Sequence, residues 1–135
     1  MPSRSKTQIP TSSELRILNA LWELGEATVE QIVTFFPPRK RPNYKTTQAF
    51  LRIMEQKGFV KHSVRGRVFI FAPLISKERV NGRSVQALLR QNFGGSARGL
   101  LINLLESNAV PESELVAIEG LIQEYRRKNG QSSGD

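Results

Sequence analysis

The sequence predicts a mainly α fold with one small β-hairpin: three short helices, the hairpin, then further helices. Two patterns and a charge asymmetry carry that reading. Apolar residues recur at helical spacing behind N-capping residues along most of the chain. One stretch, "FVKHSVRGRVFIFAP", alternates instead and breaks at Arg65-Gly66-Arg67, which reads as two strands joined by a tight turn. The net charge is +8 over 135 residues; residues 1–75 hold twelve Lys/Arg against five Asp/Glu, a net of +7, while residues 76–135 hold eight against seven, a net of +1.

Residues 1–9 are basic and lack an apolar signal core, so they are expected to form a disordered arm. The first helix opens at Thr11, whose spacing to Glu14 is that of a capping box, and Pro10 discourages helix upstream. Leu15, Leu18, Leu21 and Trp22 form its stripe, widened by Ile17 and Leu24, and Gly25 stops it. Trp22, the only tryptophan, reads as a core anchor. The second helix repeats the capping logic at Thr28 and Gln31, with Val29, Ile32, Val33 and Phe36 as its buried face and Pro37-Pro38 as its end. Then come three cations, Arg39, Lys40 and Arg41, in a turn. The third helix is predicted over 44–57, between Asn43 as N-cap and Gly58 as stop. Thr47, Phe50, Leu51 and Met54 share its core side. Tyr44, Lys45, Thr46, Gln48, Ala49 and Arg52 lie off that side. The hairpin follows at once, carrying Lys61, His62, Arg65 and Arg67.

From residue 76 the character changes. A helix through "SKERVNGRSVQALLRQNF" presents Val80, Val85, Leu88, Leu89 and Phe93, and Gly94-Gly95 breaks it. "SARGLLINLLES" is strongly apolar through Leu100, Leu101, Leu104 and Leu105. The last helix has Pro111 at its first turn, acids early and cations late, which suits its own dipole, and its stripe is Leu115, Ile118, Leu121, Ile122 and Tyr125. Residues 129–135 are expected to be a disordered tail. So much apolar surface on so little chain points to burial against a second copy, the alternative being helices folded back on residues 10–75.

Three helices followed by a hairpin is the winged helix-turn-helix order, so residues 10–75 are expected to form such a domain and residues 76–128 a helical dimerisation region. A basic balance confined to that first domain suggests a polyanion, the alternative being simple solubilising charge. The third helix suits a duplex major groove. Thr46 and Ala49 are small enough to meet thymine methyls, Gln48 can pair with adenine, and Lys45 and Arg52 suit guanine or phosphate. Its first acid is Glu55, in the last turn. Arg65 and Arg67 at the wing tip suit the backbone or a narrow minor groove. Arg39, Lys40, Arg41, Tyr44 and Lys61 complete the candidate DNA-binding set.

The inventory argues against an enzyme. Cysteine is absent and His62 is the lone histidine, which reads as solvated or phosphate-facing. Without clustered acids no metal site, cofactor site or nucleophile–base pair is expected. "NFGGSARG" lacks the Lys-Ser/Thr of a P-loop and follows a helix, so it reads as a turn. No apolar run approaches membrane-spanning length, direct membrane binding is not expected, and a cytoplasmic protein is.

The stretches "ELRILNALWELGEATVEQIV", "YKTTQAFLRIMEQKGFVKHSVRGRVFIFAPLISKE" and "FGGSARGLLINLLES" together resemble the BlaI/MecI/CopY penicillinase-repressor family of bacterial winged-helix regulators, over residues 10 to 128. The resemblance implies a homodimeric repressor of a pseudo-palindromic operator. It places Lys45, Thr46 and Gln48 at base-facing positions, with Tyr44 at the N-terminal end of the reading helix. It implies dimerisation through interlocking C-terminal helices, the apolar residues being Leu88, Leu89, Phe93, Leu100, Leu101, Leu104, Leu105, Leu115, Ile118, Leu121, Ile122 and Tyr125. In members that control β-lactam resistance, a membrane sensor with a zinc-protease domain triggers a cut in the helix after the Gly-Gly turn. The analogous bond here is Asn103–Leu104, with leucine where those repressors carry an aromatic residue. The cysteine pair of the copper-responsive branch is absent. Ile53 stands where many members carry arginine. Two other readings compete: a winged-helix regulator that senses a small molecule, and a winged-helix module that binds proteins.

Overall fold

In the computed structural model, which describes residues 8–132, helix α1 (Ser12–Leu24) begins where its capping box requires. Thr11 Oγ1 accepts the Glu14 N–H at 3.2 Å, and Glu14 Oε1 accepts the Thr11 N–H at 2.9 Å. The same arrangement at Thr28 and Gln31 starts α2 (Val29–Phe35). Residues 1–7 of the expected arm lie outside the described residues. Gln8 is held, its carbonyl accepting from Arg83 Nη1 at 2.8 Å, and Pro10 is buried.

The turn expected at Arg39–Arg41 contains one 3-10 turn, Pro38–Lys40. Helix α3 (Tyr44–Lys57) has the expected bounds: Asn43 Oδ1 caps the Thr46 N–H at 3.1 Å, and Gly58 ends the helix at φ 86°, ψ 15°. Strands β1 (Val60–Arg65) and β2 (Val68–Pro73) pair antiparallel with Arg65 opposite Val68. The loop between them is Gly66-Arg67, and Gly66 takes the positive φ, 65°, that the first central position of a II′ turn needs. Ala27 adds a bridge to Phe71 through N–H···O bonds of 2.9 and 2.8 Å, so the wing root is stitched to the start of α2.

These elements form a winged helix-turn-helix domain around one core. Leu18 and Leu21 of α1, Ile32 of α2, Leu51 and Met54 of α3, and Phe59 and Val60 at the wing root are all buried. Each such side chain contributes about 1.5–3 kcal/mol by leaving water. Val33, Phe36 and Phe50, expected on core faces, are half-buried at its rim. Trp22 is also half-buried, and its indole N–H donates to the Ile75 carbonyl at 3.0 Å, fastening α1 to the chain after the wing. Leu24, expected in the α1 stripe, is 43% exposed because the helix ends there at Gly25, beyond the reach of its packing partners. The most deeply placed charge is Glu14, 2% exposed and paired with Lys57 Nζ at 2.8 Å. One carboxylate thus caps α1 and ties it to the end of α3.

Helix α4 (Lys77–Phe93) spans the division between the chain's two compact units, Met1–Ala87 and Leu88–Asp135. Its early turns belong to the first unit, where Val80 and Ala87 are buried.

In the second unit α4 stops at Gly94 and Gly95, φ 55° and 85°, with the Gly95 N–H reaching back to the Leu89 carbonyl at 2.8 Å. Two successive glycines at positive φ end the helix, which agrees with the turn read from "NFGGSARG". Ser96 Oγ then accepts the Gly99 N–H at 2.9 Å and starts α5 (Ala97–Glu106). Helix α6 (Glu112–Ser132) continues past 128, through part of the tail expected to be disordered, since no proline interrupts it; residues 133–135 lie outside the described residues. No described residue of α5 or α6 is buried. Leu88, Leu101, Leu104, Leu105, Leu121, Ile122 and Tyr125 are exposed, while Leu89, Phe93, Leu100, Leu115 and Ile118 are half-buried. No helix among the described residues is long and apolar enough to cross a membrane.

Candidate nucleic-acid interface

The outer side of α3 follows from its core side. Thr47, Leu51 and Met54 are buried, and the Thr47 hydroxyl donates to the Asn43 carbonyl at 2.8 Å, so the helix cannot roll without losing its seat. Helical periodicity then turns Lys45, Ala49, Arg52 and Ile53 outward, all of them exposed. Thr46 is exposed beside them, its N–H held by the Asn43 cap. Tyr44, exposed, and Gln48, half-buried, turn toward the wing. There a groove of about 750 Å³ opens between α3 and the hairpin, lined by Tyr44, Gln48, Arg52, Arg67, Val68 and Phe69 among others.

Two acids, Glu30 and Glu55, also line that groove, and Glu55 is engaged by the wing. Glu55, the first acid of α3, receives the His62 backbone N–H at 3.3 Å, and its oxygens lie 2.8 Å from His62 Nδ1. The His62 ring stacks on Phe69, centroids 4.3 Å apart and planes within 12°. His62 stays exposed, as expected from its place in a basic hairpin, and in addition links the wing to α3. Sequence spacing could not find that link, because the pairing joins a helix end to the next strand only after both have folded.

The candidate cations divide by what already holds them. Arg39, Lys40, Lys45, Arg52, Lys61 and Arg67 make no side-chain ion pair or hydrogen bond among the described residues, so their charge is available. Arg65 pairs with Glu26 at 2.7 Å, but both side chains are exposed, at 63% and 46%, so a phosphate can replace the glutamate at small cost. Arg41 is exposed, and its Nε and Nη2 donate to the Phe36 carbonyl at 3.2 and 3.1 Å, satisfying the end of α2. Arg16, which sequence reasoning passed over, lies 4.5 Å from the centroid of the Phe36 ring and donates to the Lys40 carbonyl. It braces the turn that presents Arg39 and Lys40. The unit thus offers a helix whose first acid, Glu55, is engaged by His62, flanked in the chain by a basic turn and a basic wing.

A family model described as penicillinase repressor matches residues 10–124. The penicillinase repressor of Bacillus licheniformis is 20% identical over 118 residues, covering 87% of this chain and 92% of that one. The methicillin resistance regulatory protein MecI of Staphylococcus aureus (strain N315) is 18% identical over 118 residues, covering 87% and 96%. Among solved structures, the solution structure of the DNA binding domain of the repressor BlaI aligns with a TM-score of 0.48 at 24% identity, over 56% of this chain and 92% of that one.

Proposed function

The chain belongs to the penicillinase repressor family, and on that premise we propose that it is a DNA-binding transcriptional repressor, cytoplasmic and without catalytic activity of its own. It acts as a homodimer on a pseudo-palindromic operator. The observation that carries the reading is the outer edge of α3, where Lys45, Thr46, Ala49 and Arg52 are exposed, Glu55 is engaged by His62, and Arg39, Lys40 and Arg67 nearby have no side-chain partner among the described residues. A protein anchor for bases needs donors and small residues on one ridge and neutralising charge around it, and this unit has both.

The apolar residues left open on α5 and α6 support the dimer, because a second copy is the partner always present at the same concentration. Two copies related by a two-fold axis set their reading helices about 34 Å apart or a multiple of that, which gives the operator its symmetry. Selection of duplexes from a random pool with the full chain tests this reading. The expected product is an inverted repeat bound in a strongly salt-dependent way; no enrichment, with no duplex bound even at low ionic strength, would falsify it.

Repression is relieved, on this proposal, by a membrane sensor metalloprotease that cuts Asn103–Leu104. Both residues are exposed, and they lie within α5 ahead of α6. Cutting there separates α6 from the DNA-binding unit and removes the avidity of the pair. Mass spectrometry after incubation with the cognate sensor protease checks the bond. An uncut chain would remove the relief mechanism and leave the repressor reading standing.

A further inference from the structure

We propose that Ile53 reads a thymine methyl group and so sets part of the operator sequence. The inference rests on the DNA-binding reading above and deepens it by naming a base and the group that selects it.

Lys45, Ala49 and Ile53 follow one another at i, i+4, i+8 along the outward side of α3, opposite buried Thr47, Leu51 and Met54. Ile53 is 43% exposed in a row otherwise polar, basic or small. Its side chain adds nothing to the core, so the gain from burying it is open to a binding partner. On the major-groove edge of a duplex, the one apolar group is the C5-methyl of thymine. Guanine and adenine present N7 and O6 or N6 there, and an isoleucine pressed on them leaves buried polar atoms unpaired. Ile53 therefore favours thymine and disfavours purine at the position it meets.

The geometry suits a paired contact. Ala49 and Ile53 are about 6 Å apart along the helix axis. That is close to two steps of about 3.4 Å along a DNA strand, so the two residues can meet bases two steps apart. Arg52 beside Ile53 draws the row toward phosphate, and the nearest carboxylate, Glu55, is engaged by His62.

The test uses the full chain and a duplex it selects from a random pool. Each thymine is replaced in turn by deoxyuridine, which deletes the methyl and keeps every hydrogen-bonding edge. Binding is measured for the unmodified chain and for Ile53→Ala, whose folding is checked by circular dichroism. At the thymine facing Ile53 the replacement should weaken the unmodified chain about fourfold, and Ile53→Ala should be indifferent to it. Selection with Ile53→Arg should exchange that thymine for guanine. Sequence-selective binding that no deoxyuridine weakens, or a loss equal in both proteins, overturns the assignment to Ile53 while the repressor reading survives. Absence of any selected sequence overturns both.

Discussion

Gln48 and Thr46 illustrate how a residue can be legible in function and still depend on its neighbours for position. Their chemistry was readable from the helix pattern alone. The Asn43 cap and the Thr47–Asn43 bond hold the first turn that presents them. Gln48→Ala or Thr46→Ala should weaken the selected duplex more than a random one, by about 1–3 kcal/mol for a true base contact, read by titration on both. Equal losses on the two duplexes would place these residues on phosphate. Glu14 is the converse case. The sequence marks it only as half of a capping box, yet it is nearly sealed from water with Lys57 as its partner. Lys57→Ala should cost about 1–3 kcal/mol in denaturant unfolding; a bared buried carboxylate costs more, but Lys57 is partly solvated and the Thr11 N–H still serves Glu14.

At the scale of elements, the wing is largely exposed. Val64, Val68 and Phe69 are exposed, and burial is confined to the root at Val60 and Phe71. Its fixed orientation therefore depends on the Ala27 bridge and on the His62 latch to Glu55. Loss of the latch in His62→Ala should speed amide exchange in β1 and β2 by up to about fivefold, with α1 unchanged, because a partly exposed pair contributes at most about 1 kcal/mol. The wing tip works through charge. Arg65 and Arg67 replaced together by Ala should weaken selected and random duplexes alike and reduce the salt slope by about 2, one for each phosphate no longer neutralised. The strand–turn–strand pattern was plain in the alternation around Gly66. The latch was not, since nothing about a histidine among lysine and arginine points to a glutamate on the adjoining helix.

For the whole molecule, charge and apolar surface are separated along the chain: cations gather in the DNA-reading unit, while α5 and α6 carry leucines that no described residue covers fully. Leu101→Asp or Leu121→Asp should give a monomer in sedimentation and reduce operator affinity while leaving the melting of the first unit unchanged. A dimer that persists would locate the interface elsewhere on the helices. The sequence by itself determined the order of elements, both capping boxes, the bounds of α3 and the outward side of the reading helix. Those features depend on local rules: caps within three residues, glycines that tolerate positive φ, and periodicity along a single helix. Only the tertiary structure decided that Glu14 is buried against Lys57, that Arg41 closes the end of α2, that Arg16 braces the basic turn and that His62 pairs with Glu55. Each of these joins groups that lie on different elements, so each exists only once the core has set those elements side by side.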